Sequence, residues 1–256
     1  QCDWSSYVCS SDLRPVRVAH WPTMTADPTL RQRHIAAAHA AGIVRDGMVV
    51  GYGTGRAAMS VMDMLAPRVH DGLRVLGVPT SVATAAHAAK LGLPLTDLDT
   101  YPSLDLTLDG ADEVDPSRNL IKGGGAALFR EKVLAAASQR LVVVIDATKR
   151  VPRLGATRPI PVEVLPFAVG SCLRLLGQIG GDALRRLDES GAPVVTDNGN
   201  HVLDVAFDAS RMVDPRALDE AMRAIPGIII TGLFWSFNPT VVVGTDTGVE
   251  VVGPAL

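Results

Sequence analysis

With 256 residues, 47% of them hydrophobic and 20% charged, the chain can bury a full core, as one large domain or as one domain plus a small one. A formal net charge of −3 gives no reason to expect nucleic acid or an acidic membrane surface as a partner, and no apolar run is long enough to span a bilayer. Three cysteines imply no disulfide framework and fit a reduced, cytoplasmic protein.

Residues 1–13 (QCDWSSYVCSSDL) show no periodicity and no charged segment leading into an apolar one, so no signal peptide is expected. Residues 1–23 are expected to be non-native or disordered, with Met24 as the natural start. Asp27-Pro28 then reads as an N-cap followed by proline at the first helical position. That helix is expected to reach about Ala41, with Gly42 as its cap. Residues 48–52 form an apolar run that predicts a buried strand. A glycine-rich turn leads into a helix over residues 57–65, which Pro67 is expected to stop.

Further strands are predicted over residues 73–78, 104–108 and 141–145, with helices over 81–91 and 127–138 between them. Strands alternating with helices of this length predict a Rossmann-like α/β domain, its sheet mostly parallel and covered by helices on both faces. The rhythm then changes. A strand over 161–164, a helix over 167–179, strands over 194–196 and 201–205, a helix over 215–225 and a strand over 228–231 make the order β-α-β-β-α-β, the ferredoxin-like α+β unit. Asn198-Gly199 predicts a type I′ hairpin turn between the two middle strands. Short strands over 241–244 and 249–252 are expected to return to the first sheet. Residues 24–154 and 235–256 are therefore assigned to one domain and 155–234 to a smaller one.

Four places can carry chemistry. Gly51-Tyr52-Gly53-Thr54-Gly55-Arg56-Ala57-Ala58 follows a strand and opens a helix, where free N–H groups and a partial positive charge suit a phosphate. Gly53 to Ala58 also fits a loose dinucleotide pattern, but the next strand ends in Val78-Pro79-Thr80-Ser81 without the carboxylate that would hold a ribose. Asp109-Gly110-Ala111-Asp112 leaves the carboxyl end of a strand, where ligands of open parallel sheets bind. Glu113 and Asp115, just beyond, read as a solvated acidic turn. Lys122-Gly123-Gly124-Gly125 places a cation beside exposed amides, which suits an oxyanion or serves as a hinge.

The fourth place is Glu131, which shares a helical stripe with Ala127, Leu128, Leu134 and Ala135. A carboxylate on an apolar stripe is paired or functional, and burial would lift its pKa from about 4.3 towards the ~6–7 useful to a base. Lys149 leaves the same end of the sheet after the strand over 141–145. The six histidines are scattered, Cys172 stands alone in a helical stretch, and no metal-ligating, nucleophile-elbow or Walker pattern is present. Neither a metal nor a nucleotide cofactor is expected.

Taken in order, GYGTGRAA, GVPTS, LDLTLDGADEVDPSRNLIKGGGAALFREK, VVVIDATKRVPRLG, PVEVLPFA, VVTDNGNHVLDV and IPGIIITGLF resemble the ribose-5-phosphate isomerase A family over nearly everything after Met24. The resemblance implies an aldose–ketose isomerisation through a cis-enediol, with Glu131 as the base. It implies that Lys122, Gly123, Gly124, Gly125 and the turn from Asp109 to Asp112 bind the open-chain sugar. Lys149 is implied to touch substrate, and Thr54, Gly55, Arg56 and Ala57 to contribute to substrate and phosphate binding. Many members carry Ser-Thr where this chain has Arg56-Ala57, so Arg56 either grips the phosphate or turns outward and leaves the backbone amides to do so. Arg33 stands about where some members carry a lysine. A homodimer or homotetramer is expected. The rival readings are a non-catalytic sugar-phosphate sensor on the same fold and a nucleotide-dependent oxidoreductase.

Overall fold

The computed structural model describes residues 27–255. The expectation for residues 1–23 lies outside them. The first helix, α1 (Pro28–Ile43), starts as its sequence requires: the Asp27 carboxylate accepts from the Thr29 amide at 2.9 Å, with Pro28 in the first turn. It does not stop at Gly42. Ile43 and Val44 are buried, and packing them carries the last turn through the glycine.

Strand β1 (Val49–Tyr52) is buried along its whole length and leads into α2 (Arg56–His70). Pro67 lies inside α2 rather than ending it. Asp63, whose carbonyl loses its partner to the proline, and Pro67 itself are both exposed, so water can satisfy that carbonyl. Leu65 and Ala66 are buried, and they hold the helix in place past the expected stop. Strand β2 (Leu76–Pro79) and helix α3 (Val82–Lys90) follow, the latter capped by the Ser81 hydroxyl. Next come β3 (Leu106–Asp109) and two short strands that the sequence did not announce, β4 (Glu113–Val114) and β5 (Leu120–Ile121). Helix α4 (Leu128–Ala137) and strand β6 (Leu141–Asp146) complete the first half.

The second half begins with β7 (Ile160–Val164), α5 (Val169–Gln178) and β8 (Gly181–Arg185). It continues through β9 (His201–Phe207), α6 (Pro215–Arg223) and β10 (Ile228–Thr231). Strand β11 (Leu233–Phe234) pairs with β5, and the chain closes with β12 (Thr240–Thr245) and β13 (Gly248–Val252).

Three sheets result. The six-stranded sheet runs β13-β12-β6-β3-β1-β2, parallel except for the edge strand β13, so the last two strands do return to the first sheet. Its strand order reverses between β1 and β3, the place where ligands of such sheets bind. The four-stranded antiparallel sheet runs β10-β7-β9-β8, which is the ferredoxin-like order. The small sheet β11-β5-β4 links the two halves of the chain.

The second strand of the ferredoxin-like unit is not residues 194–196. It is β8, a polar edge strand with little hydrophobic signal to betray it. Val195 makes only an isolated bridge to His201. The turn between them is also not type I′. Thr196 N donates to Asn200 O at 2.8 Å, Gly199 N donates to Thr196 O at 2.9 Å, and Gly199 alone of the loop is left-handed, at φ 78. That is a three-residue loop with a glycine bulge. It leaves the side-chain Nδ2 groups of Asn198 and Asn200 free to donate to the buried Glu163 Oε1, at 3.1 and 2.8 Å. Within residues 225–234, Ile225, Thr231, Leu233 and Phe234 are buried in the core, while Ile229 is exposed.

Candidate active site

Strands β1, β3 and β6 deliver three loops to one end of the six-stranded sheet, where β5 and the first turn of α4 close the floor. The cavity they enclose is about 340 Å³. Thr54, Gly55, Arg56, Ala57, Gly110, Ala111, Asp112, Lys122, Gly123, Gly124, Gly125, Glu131 and Lys149 all line it. Asp109 lies just behind that lining, 1% exposed. Thus the candidate site residues of all four places, with Lys149, converge on one cavity.

Lys122 stands at the centre. Its ammonium lies 2.9 Å from Asp109 Oδ2 and 3.4 Å from Glu131 Oε2, and it donates to Gly110 O at 2.6 Å. All three side chains are buried. Burial works against the charge on Lys122, but the carboxylates of Asp109 and Glu131 on either side outweigh it and hold the ammonium well above the usual lysine range. Burial pushes the Glu131 carboxyl up to about 8; the nearby Asp109 and Asp112 charges add to that rise, and Lys122 pulls the other way. Asp109 is likewise raised by burial against the pull of Lys122.

The helical stripe holds: Ala127, Leu128, Leu134 and Ala135 are buried together with Glu131. Ala126, at φ 58, is a non-glycine residue in left-handed conformation and turns the glycine loop into α4. The glycines have definite tasks. A Cβ on Gly53 would lie 2.0 Å from Asp109 Oδ1, so only glycine lets the β1 loop pass over that carboxylate. Gly123 adopts φ 105, which L side chains rarely adopt, so the loop turns there by design rather than by looseness. Gly124 N donates to Asp112 Oδ2 at 2.8 Å and fixes that carboxylate at the cavity wall.

The β1 loop meets α2 with Gly55 as N-cap, and among the described residues no side chain caps the helix, which leaves its first amides to an anion. Thr54 Oγ1 sits within 2.7, 2.8 and 3.1 Å of the hydroxyls of Thr80, Ser81 and Thr84. Arg56 is exposed at the cavity rim and its side chain has no partner among the described residues. Lys149 ends the short 3-10 turn Ala147–Lys149 after β6. Arg33, on α1, is 8% exposed and faces Asp146 Oδ2 at 3.6 Å.

Two charged lining residues, Asp146 and Arg158, are not marked as candidates by the sequence. Asp146 ends β6 as Asp109 ends β3, and that shared position was a readable signal. Arg158 sits in an irregular loop and carries no such mark. Glu113 is a correction: it is not solvated but fully buried, where it accepts from Gly155 N and Thr157 N at 2.6 Å and Arg158 N at 2.8 Å. Lys132 carries no mark in the sequence either. It is drawn inward to donate to the carbonyls of Thr231 and Leu233, and burial lowers its pKa to about 8. Among the described residues, no group of three or more His, Cys, Asp or Glu side chains is placed to hold a metal ion.

Residues 76–248 match the family model described as ribose 5-phosphate isomerase A (phosphoriboisomerase A). A protein of Roseiflexus castenholzii named ribose-5-phosphate isomerase A is 49% identical over 225 residues, which is 87% of this chain and 95% of that one. Its namesake in Bradyrhizobium diazoefficiens is 46% identical over 239 residues, 90% of this chain and 97% of that one. Among solved structures, ribose 5-phosphate isomerase A of Methanocaldococcus jannaschii superposes with a TM-score of 0.83 at 37% identity, covering 87% of this chain and 98% of its own. A D-ribose-5-phosphate isomerase in complex with phospho-erythronic acid gives 0.85 at 34% identity, covering 88% and 99%. The chain belongs to the ribose 5-phosphate isomerase A family.

Proposed function

We propose that the chain interconverts D-ribose 5-phosphate and D-ribulose 5-phosphate, a step of the non-oxidative pentose phosphate pathway, through a cis-enediol with Glu131 as the general base. The observation that carries this is a buried carboxylate with its pKa lifted to about 8, next to a buried ammonium, in a cavity sized for a small polar molecule. Relatives across most of the chain's length bear the isomerase name.

The chemistry follows from the arrangement. Glu131 takes the proton from C2 of the open-chain aldose, and the electron pair moves through C2–C1 onto the carbonyl oxygen. Lys122 stabilises the oxyanion that develops there. Asp109 and Asp112 orient the sugar hydroxyls, with Gly110, Ala111 and the amides of Gly123, Gly124 and Gly125 as further contacts. Proton exchange between the two oxygens gives the other enediolate, and Glu131 returns its proton to C1 to leave the ketose. Thr54, Gly55, Arg56 and Ala57 receive the phosphate at the N-terminus of α2, and Lys149 touches the substrate. The ligand named for one solved neighbour, phospho-erythronic acid, carries both a carboxylate and a phosphate.

A sugar-phosphate sensor would need the cavity but gains nothing from a proton-accepting carboxylate held out of water beside Lys122. We divide the chain into a catalytic unit, residues 24–154 with 235–256, and a ferredoxin-like companion, 155–234; the separate six- and four-stranded sheets support this. We further expect a cytoplasmic homodimer or homotetramer, which sedimentation analysis would test. Incubating the purified protein with ribose 5-phosphate in a coupled assay for ribulose 5-phosphate tests the activity itself. Product should form without added metal or nucleotide, and absence of product rejects the assignment.

A further inference from the structure

Five cations but only three carboxylates line the cavity, in a chain whose formal net charge is −3. Lys122 is held between Asp109 and Glu131, and Arg33 faces Asp146. Arg158, by contrast, lines the cavity with a side chain that has no hydrogen-bond or ion-pair partner among the described residues; only its backbone amide is engaged.

That backbone is anchored from inside the protein. The Glu113 carboxylate, 0% exposed, spends all its hydrogen bonds on the loop of residues 155–158. Oε2 accepts from Gly155 N at 2.6 Å. Oε1 accepts from Thr157 N and Thr157 Oγ1, both at 2.6 Å, and from Arg158 N at 2.8 Å. A buried carboxylate is tolerated only when donors saturate it, and here every donor comes from the loop that bears Arg158. Glu113 also directly follows Asp112, so one short strand sets both a wall carboxylate and the loop that faces it.

We propose that Arg158 is a substrate-binding residue that closes the cavity mouth on the phosphate dianion of the bound sugar, and that Glu113 is its positioning residue. This rests on the isomerase reading of the site. A dianion is repelled by Asp112 and Glu131 and settles on cations whose charge is not already taken. The planar guanidinium fork matches two phosphate oxygens at once. A rigid backbone makes that grip effective, because less freedom is lost when the ligand arrives.

The test is a set of kinetic measurements on the full chain. Arg158→Ala should raise KM for ribose 5-phosphate roughly tenfold while kcat stays within about twofold, the pattern of lost uniform binding. The inhibition constant of inorganic phosphate should rise by a similar factor, and Arg158→Lys should recover part of both. Arg153→Ala, exposed and outside the cavity lining, should leave both unchanged. Thr157→Val removes one donor to Glu113, so it should raise KM in the native background and add nothing in the Arg158→Ala background. Unchanged KM and phosphate inhibition in Arg158→Ala, or an equal rise in Arg153→Ala, would overturn the role of Arg158. An additive effect of Thr157→Val would overturn the positioning role of Glu113. Calorimetric titration with inorganic phosphate, weaker in Arg158→Ala than in the native chain, needs no turnover. It therefore separates failure of the Arg158 contact from failure of the isomerase reading.

Discussion

The ammonium of Lys122 lies 3.4 Å from Glu131 Oε2, with both residues 3% exposed, yet that carboxylate oxygen has no hydrogen-bond partner among the described residues. Lys122 instead directs its hydrogen bond to Gly110 O and its shortest ion contact to Asp109. The result is a carboxylate oxygen screened from water, near a positive charge and still open to a proton. Replacing Glu131 by Gln keeps the shape and removes the proton acceptor. Turnover should fall by about 10²–10⁴ with little change in KM. Steady-state assays check this; a loss confined to KM would make Glu131 a binding residue only.

The raised pKa of Glu131 sets a pH dependence. A base must be deprotonated to act, so kcat/KM should rise with pH and level off above about 8. Lys122 pulls that pKa down through its charge, so Lys122→Ala should shift the rising limb to higher pH as well as lower kcat. A pH–rate profile of both proteins reads the shift; because Glu131, Lys122 and Asp109 interact, the midpoint belongs to the cluster rather than to one residue.

Arg56 is the first residue of α2, exposed at the rim, and its side chain has no partner among the described residues. If its guanidinium holds phosphate, Arg56→Ala should raise KM several-fold, by about 1 kcal/mol of lost binding at a solvated position. An unchanged KM would remove Arg56 from the phosphate contacts and leave the helix amides and Arg158.

Gly53→Ala tests the close approach beneath the site. The added methyl would sit 2.0 Å from Asp109 Oδ1 and 2.7 Å from its Cβ, and Asp109 is locked between Gly110 N and Lys122. Overpacking of this kind destabilises by about 1–3 kcal/mol, so the melting temperature should drop by several degrees. Activity should fall further than stability alone accounts for, because the displaced Asp109 carries Lys122 with it. Thermal unfolding and kcat measured side by side distinguish the two effects.

Much of the site was legible because its parts sit at boundaries that sequence marks well. Glycine clusters mark the β1 and Lys122 loops, carboxylates mark the ends of strands, and the 3.6-residue stripe places Glu131 on the inner face of α4. The misread positions share a different cause. Gly42 and Pro67 carry strong local stop signals, and burial of Ile43, Val44, Leu65 and Ala66 overrides them. The polar strand β8 offered no periodicity to read, and the Asn198-Gly199 turn took another form because both neighbouring asparagines serve Glu163.

Local pattern alone determined the alternation of strands and helices in the first half and the short stretches that line the cavity; it indicated a ferredoxin-like second half but misplaced its second strand. Only the folded chain decided the charge states. Asp109, Lys122 and Glu131 become one electrostatic unit because β3, β5 and α4 bring them together where water is excluded, and a pKa depends on what surrounds a group rather than on its place in the chain. The same holds for Glu113, which reads as a solvated turn until the loop of residues 155–158 folds over it and supplies every donor it needs.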